Sequence, residues 1–571
     1  MNPDRLKPLI STAIPYLQIG IILLFGIISY ANSLDVPLQL DDRTTISKYY
    51  SDLFNLQSFT HNTRWFADLS FAINRAMHGE QLLGYHLINL TIHLASASFT
   101  YLLVHQAVKG LKQTFFISCS DKYYSLTQHF IPFVTAALFV CHPVQTQAVT
   151  YISQRYTSLA TLLYIFSLLS YLNARLALAN ETNKLKSSLW GFASILTALL
   201  AMKSKEITFT LPLMIVLFEI TLFRGQMLKK RVFLLCCAGL FLIIPLQLFF
   251  SLGAVSPEDL PYQIQQATSE TNNISRSDYL LTQFRVVATY LRLLILPTNQ
   301  NLEYDYPLYR SIINPEVFAA LMLHVVLVGI ALALFMRSKQ YLSSCNQSPG
   351  ISMRLASLGI LWFYLALSVE SSVIPIYDVI FEHRIYLPSV GFFMAVAAVI
   401  SIIAARWLRY RNAILIFIFL LCSVLTTSTI VRNRIWSDEL LMWQDVLKKS
   451  PNKARVKYNV GFLYFKRYMP EKALPYIVGA IEIDSTQEKY WDILNVAITL
   501  LGKYEGRYLA VNKYHLVEPE MKKAWLANSF NNLGLANEHL GNLNQARDNY
   551  LKAIKLDPSL DIAKYNLTLL K

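Results

Sequence analysis

Side chains able to do chemistry recur in this sequence at the ends of long apolar stretches. Two adjacent carboxylates, Asp41 and Asp42, stand in LQLDDRTTIS (39–48). YHLINLTIHL places His86, Asn89 and His93 three and four residues apart, on one face of a helix. CHPVQTQAVTYISQRYTS carries His142, Gln145, Gln147 and Arg155, and KSKEITFTLP carries Lys203, Lys205 and Glu206. ESSVIPIYDVIFEHRIYLP supplies Glu370, Asp378, Glu382, His383, Arg384 and Tyr386. Ionisable groups near hydrocarbon are costly, so a convergent set is a candidate functional site. Lys, Arg and His together neutralise and hydrogen-bond an anion, and a lipid-linked phosphate is the obvious one.

Composition sets where these residues act. Of 571 residues, 54% are hydrophobic and 15% charged, against about 25% charged in a soluble globular protein. Apolar runs near twenty residues, enough to cross roughly 30 Å of hydrocarbon, recur until about residue 431, after which the chain is polar. Eleven spans are expected, at 13–31, 85–108, 130–150, 157–178, 187–202, 207–223, 232–252, 315–336, 354–370, 387–406 and 412–431. The first reads as a span rather than a cleaved leader, since many more follow. The fold class expected is all-α: a polytopic membrane helix bundle over 1–431, a linker helix over 432–452, and a repeat domain over 453–571.

Orientation follows from the short basic loops KGLKQ, NKLKSS, FRGQMLKKR, RSKQYLSS and RWLRYRN, which all face inside if the N-terminus does. The net charge of +15 is thereby explained by topology rather than by nucleic acid. Asp41, Asp42, the candidate residues above and the C-terminal tail then lie outside. Lys203 and Lys205 are basic on the side that topology leaves poor in positive charge, which an anion held there would explain. RWFADLSFAINRAMHG reads as an amphipathic helix along the membrane interface. The six cysteines, Cys119, Cys141, Cys236, Cys237, Cys345 and Cys422, occupy spans or inside loops, so no disulfide framework is implied, and no metal-ligand spacing occurs.

The tail repeats itself. With Ala454 as position one, Val460, Gly461, Ala473 and Ala480 fall at the small and apolar positions of a 34-residue tetratricopeptide repeat, where small residues let two antiparallel helices approach. A weaker copy starts near Glu488, with Trp491, Leu494, Gly502, Tyr504 and Pro519 in register. A third carries Leu533, Gly534, Ala546, Ala553 and Pro558, and residues 561–571 read as a further or capping helix. SDELLMWQDVLKKS, with Ser437 as N-cap, joins the last span to the array. Such α-solenoids have a concave face that holds a peptide or protein partner.

HPVQTQAVTYISQR, SKE followed by TLPL, EHRIYLPSVG, and VRNRIWSDELLMWQDVLKKSPNKARVKYNVG together resemble the transmembrane-and-tetratricopeptide-repeat family of O-mannosyltransferase-like GT-C glycosyltransferases. The resemblance extends in order from the aspartate pair through YHLINLTIH to the repeats. It implies a GT-C membrane domain using a polyprenyl-phosphate sugar on the non-cytoplasmic face. The superfamily's acidic motif in the first outside loop maps onto Asp41 and Asp42, implying Asp41 as the base that takes the acceptor hydroxyl's proton and Asp42 in support. Lys203, Lys205, His383, Arg384 and Arg155 are then expected at the donor phosphate, and His86, His142, Glu206 and Glu382 in the substrate pocket, with no metal and no cofactor besides the donor. Many members carry an Arg-Pro pair near the interfacial helix where this chain has TRWFADLSFAIN, leaving Arg64 as a partial substitute.

The implied function is transfer of a hexose, mannose favoured, to a hydroxyl acceptor such as Ser or Thr of protein or a glycan. The expected location is a bacterial inner membrane with periplasmic repeats, or an ER membrane with lumenal repeats in a eukaryote. The alternative is a membrane-anchored repeat scaffold without catalysis. In that reading His86, Asn89 and His93 tie helices together, Arg155 or Arg384 pairs with Glu206 or Glu382, and Asp41 and Asp42 belong to a solvated turn.

Overall fold

Apolar runs of this length cross lipid only as helices or closed barrels, because every backbone N–H and C=O must be paired without water. The computed structural model describes residues 3–47, 62–116, 121–179, 183–252, 274–343, 348–484, 486–501 and 543–570, with isolated residues at 271 and between 523 and 538. Among them the regular structure is helical throughout. They form two compact units, Met1–Leu302 with Tyr306–Ser437, and Glu303–Asp305 with Asp438–Lys571.

In chain order the first unit holds α1 (Pro3–Tyr30), α2 (Asp42–Ser47), α3 (Trp65–His78), α4 (Leu82–Thr114), α5 (Asp121–Cys141), α6 (Thr146–Val149), α7 (Arg155–Ala179) and α8 (Lys184–Met202). It continues with α9 (Leu211–Leu222), α10 (Arg231–Leu252), α11 (Arg276–Ile295), α12 (Pro315–Leu342), α13 (Ser348–Leu367), α14 (Tyr386–Arg406) and α15 (Arg411–Trp436). Among the described residues, the segments built on α1, α4, α7, α8, α12, α13, α14 and α15 are the 8 long and apolar enough to span a membrane. The three remaining expected spans fall on α5, α9 and α10; among the described residues the apolar stretches of α5 and α10 are short, Thr127–Cys141 and Arg231–Ile243. At 12 residues, α9 is only about 18 Å long, well under the hydrocarbon thickness. A count of eleven is therefore not reached on length and composition.

Helix α11 lies outside the expected spans. Ser275 caps it by accepting from the Asp278 N–H, and Asn314 caps α12 in the same way, with Pro315 as its first residue. The expected amphipathic helix is α3, whose Ala67, Asp68, Phe71 and Asn74 are buried along one face while Ile73 and Met77 are exposed.

Side-chain and backbone bonds gather one end of the bundle. Asn32 Nδ2 donates to the Ile430 carbonyl at 2.9 Å, Thr429 Oγ1 to the Cys141 carbonyl at 2.7 Å, and the Phe66 N–H to the Lys203 carbonyl at 2.8 Å. Asp41 and Asp42 lie at this end, and the short basic loops at the other. Within the bundle α13 and α14 approach to backbone contact: a Cβ on Gly359 would sit 2.4 Å from the Gly391 carbonyl oxygen and 2.8 Å from the Ala395 nitrogen. Trp362, beside this crossing, is fully buried and donates Nε1–H to the Leu387 carbonyl at 3.1 Å.

The second unit contains α16 (Glu439–Lys449), α17 (Ala454–Lys466), α18 (Pro470–Ile483), α19 (Glu488–Leu501), α20 (Leu543–Leu556) and α21 (Asp561–Leu569). The N-cap of α16 is Asp438, whose carboxylate accepts from the Leu441 N–H at 2.8 Å, and not the Ser437 expected. Helices α17 and α18 form the first repeat. A Cβ on Gly461 would meet Ile477 Cγ1 at 2.7 Å, and Ala473 and Ala480 are fully buried beside it with Trp491 and Leu494. Expected repeat positions Gly502, Tyr504, Pro519 and Leu533, with Cys119 and Cys345, lie outside the described residues. Cys141, Cys236, Cys237 and Cys422 are free thiols.

The glycine crossing yields a first prediction. Gly359→Val should lower the thermal midpoint of the detergent-solubilised protein by an amount matching roughly 1–3 kcal/mol, because backbone cannot yield to the new side chain. Gly191→Ala, where a Cβ meets nothing within 4 Å, should not lower that midpoint.

Candidate functional site

The two aspartates share a loop and divide between two environments. Asp42 is 1% exposed. Its Oδ1 accepts from the Ser153 N–H at 2.7 Å and the Ser153 hydroxyl at 2.6 Å, and its Oδ2 accepts from the Gln39 N–H at 3.0 Å. Asp41 is exposed, and its N–H donates to the Tyr151 hydroxyl at 3.0 Å. Gln39 also donates to the Trp436 carbonyl at 3.4 Å, fastening the loop to the end of α15. Burial pushes the Asp42 carboxyl up to about 7, outweighing the Ser153 and Gln39 hydrogen bonds that favour its ionised form.

Two residues beyond Ser153, the Arg155 guanidinium is fully enclosed. Nε donates to Asn89 Oδ1 at 2.7 Å, Nη2 to Asn74 Oδ1 at 2.7 Å and to the Tyr85 carbonyl at 3.1 Å, and Nη1 to the Ser70 carbonyl at 3.4 Å. The group stacks over the Phe71 ring, 4.3 Å from its centroid. Its hydrogen-bonding fork thus joins α3, α4 and α7. The donors of Arg155, expected at a donor phosphate, are directed at these side chains and carbonyls of the protein.

Thr157, one helical turn after Ser153, receives the Lys205 ammonium at 2.8 Å. Lys205 is 7% exposed and pairs with Glu370 at 3.4 Å. Burial pushes it down from the usual lysine range, and Glu370 opposes that. Arg64, Glu206 and Arg384 lie close enough to act on the same ammonium. Asp42 and Lys205 are thus bonded to residues four apart in one segment, Ser153 and Thr157. Arg64 grips Glu206 through both oxygens, at 3.1 and 3.2 Å, and its guanidinium lies over the Tyr156 ring at 5.5 Å.

The EHR segment closes the cluster. Arg384 donates to the Val379 and Asp378 carbonyls at 3.1 and 2.9 Å. The His383 N–H donates to Gln147 Oε1 at 2.8 Å, while His383 Nδ1 and Gln147 Nε2 are buried without a hydrogen-bond partner. Helix α11 holds the approach to this segment. Gln283 Nε2 donates to the Val379 carbonyl at 3.0 Å, Tyr290 Oη to the Phe381 carbonyl at 3.0 Å, and Tyr279 Oη to the Glu370 carbonyl at 2.8 Å.

Other expected site residues serve the framework. His86 donates Nε2–H to the Val36 carbonyl at 2.8 Å. His142 Nδ1 accepts from the Val144 N–H at 3.2 Å and the ring packs on Phe393, with centroids 5.2 Å apart. Glu382 accepts from Gln300 Nε2 at 2.9 Å and from the Asn301 N–H at 2.6 Å. All three are 2% exposed, and the bonds named here tie each of them to the framework, while His86 Nδ1 is buried without a hydrogen-bond partner. Glu206 is the anchor of Arg64. Lys203 diverges from Lys205 and reaches the Asn62 carbonyl at 3.5 Å. Lys205, His383 and Arg384 do come together, with Arg64 and Glu370. Sequence reasoning missed Tyr151, Ser153 and Thr157, although all three lie in the same YISQRYT run as Arg155.

This architecture is that of a multi-pass membrane protein with polar and charged groups converging at one end of its bundle and a tetratricopeptide-repeat tail. A tetratricopeptide-repeat family model matches residues 527–560. Over 430 residues, 74% of this chain and 53% of the relative, the sequence is 23% identical to the Caenorhabditis elegans "Protein O-mannosyl-transferase F38B6.6". Over 166 residues, 26% of this chain and 18% of the relative, it is 30% identical to the human "Protein O-mannosyl-transferase TMTC2". The chain thus spans about half the length of the first curated relative and under a fifth of the second. These matches, with the repeats, support a protein like those of the transmembrane-and-tetratricopeptide-repeat family.

A pH dependence follows from Asp42. With its carboxyl raised from 3.8 to about 7, the folded protein holds a proton that the unfolded chain releases between those values. The contribution to stability therefore falls as pH rises from about 4 to about 7, by roughly 1.4 kcal/mol per unit at most, and is flat above. Asp42→Asn should melt lower overall: its amide oxygen can still accept from Ser153, but the NH2 that replaces Oδ2 cannot accept from the Gln39 N–H. The gap between wild type and variant should narrow as pH rises from 5 to 7, as read from thermal midpoints in one detergent.

Proposed function

We propose that this chain is an integral-membrane glycosyltransferase moving a hexose, with mannose favoured, from a polyprenyl phosphate to a hydroxyl acceptor such as Ser or Thr of protein. Asp41 is the general base and Asp42 its support. The observation that carries the reading is the division of the aspartate pair: one carboxylate buried and clasped by Ser153, the other exposed beside it, in a loop anchored four residues before the Thr157 that receives Lys205. The acceptor oxygen bonds to the anomeric carbon, the bond from that carbon to the phosphate oxygen breaks, and the acceptor's proton passes to Asp41. Lys205, with Arg384 and His383 beside it, balances the charge left on the polyprenyl phosphate. Bound phosphate would take Lys205 from Glu370, and the unpartnered His383 Nδ1 and Gln147 Nε2 are buried polar groups suited to a ligand.

The basic loops at the opposite end support a non-cytoplasmic face for the aspartates, and the repeats are read as holding a protein acceptor or partner there. The relatives' printed names agree with the chemistry. A non-catalytic scaffold is the second reading, favoured by the number of charged groups already satisfied within the protein: Arg155, Glu382 and the Arg64–Glu206 pair.

Purified protein incubated with a panel of polyprenyl-phosphate sugars and scored for released polyprenyl phosphate separates the two. Asp41→Asn should lower turnover by roughly 10²–10⁴-fold while leaving the thermal midpoint unchanged, and equal turnover would remove the base assignment. Lys205→Ala should chiefly raise the donor KM, by about tenfold or more. Release from no donor in the panel favours the scaffold.

A further inference from the structure

At the end of the bundle opposite the aspartates, a cleft of about 730 Å³ is lined by Arg224, Lys229, Lys339 and Arg354 together with Phe115 and Phe335. It draws on the turn after α9, on α12 and on α13, and its lining includes no acidic side chain. Glu219, on the helix that precedes the turn, is already held by Arg175 at 2.6 Å.

Arg354 sets this cleft apart from an ordinary basic loop. It is 2% exposed, it makes no ion pair with a described residue, and its Nε is buried without a hydrogen-bond partner. What it touches is aromatic: its guanidinium lies 4.1 Å from the Phe335 centroid and 5.6 Å from that of Phe115. Arg224 covers Phe115 at 4.3 Å, and Lys339 lies 5.4 Å from the Phe335 centroid. Ring faces attract cations, yet they satisfy none of a guanidinium's N–H groups. A cation withdrawn from water with its donors unmet is costly, whereas exposed topology-setting lysines have no such cost. The cost is offset if an anion enters. A planar fork with further cations around it fits the several oxygens of a phosphate, and basic pockets between membrane helices are suited to phosphorylated head groups.

We propose that the Arg354 cleft is a phosphate-binding site, separate from the aspartate end and independent of the transferase reading. Arg354 supplies the fork, and Arg224, Lys229 and Lys339 the surrounding charge. The phosphate belongs either to an anionic lipid head group or to free phosphate.

The test uses the full chain in nanodiscs containing either phosphatidylglycerol or phosphatidylcholine. Retained lipid is read by native mass spectrometry, and thermal shift with inorganic phosphate is measured in parallel. Selective retention of phosphatidylglycerol, weakened about tenfold or more in Arg354→Gln, supports the site with a lipid as the source. A shift with inorganic phosphate, lost in the same variant, supports it with soluble phosphate. Should Arg354→Gln not fold, the Lys229→Gln/Lys339→Gln double variant at the exposed rim decides by the same readouts. Arg337→Gln, an exposed cation outside the lining, should change neither. The proposal is overturned if wild type shows no preference and no shift, or if Arg337→Gln weakens binding as much as the cleft variants do.

Discussion

A carboxylate and a guanidinium, both withdrawn from water, are fixed by residues two positions apart in one short turn. Ser153 clasps Asp42, and Arg155 gathers Asn89, Asn74 and the Tyr85 carbonyl. Buried polar groups of this kind are costly unless every one is met, so the turn has little freedom to shift. Once it is fixed, the first loop, α3, α4 and α7 share one frame. Thr157, at the next turn of the same segment, then sets where the Lys205 ammonium sits.

The division between Asp41 and Asp42 follows from that frame. Successive side chains differ by about 100° in direction on a helical backbone, so one reaches inward to Ser153 and the other faces out. The buried member shapes the loop, and the other stays exposed. At the opposite end of the bundle, acids are absent from the lining of the Arg354 cleft, whereas around Lys205 acids and bases alternate.

Much of the fold was legible in the residues. The apolar runs, the amphipathic spacing of α3, and Gly461, Ala473 and Ala480 at their repeat positions all encode packing locally. The aspartate pair, Lys205 and the EHR segment could be picked out because charge beside hydrocarbon is conspicuous. Roles were harder. An arginine that binds an anion and one that braces three helices are the same letter, and the partners of Arg155 lie 66 to 85 residues away in the chain. Ser153 and Thr157 carry no charge and so drew no notice. Helix α11 escaped because Arg285, Arg292 and its polar residues make it too hydrophilic for a span, while it lies in a segment otherwise free of apolar runs. Asp438 displaced Ser437 as a cap because only the three-dimensional course of the backbone decides which of two good capping residues faces the open N–H groups.

Between α13 and α14 the chain from residue 368 to 381 has no extended regular element of its own, yet it delivers Glu370 and leads into Arg384. Its course is set from outside, by Tyr279, Gln283 and Tyr290 reaching across from α11. Selection could therefore retune the neighbourhood of Lys205 without altering any charged group: a single change of side-chain length on that remote helix would reposition a whole strap of backbone. Related chains would be expected to differ in ligand preference through such silent-looking exchanges as readily as through replacements at the centre itself.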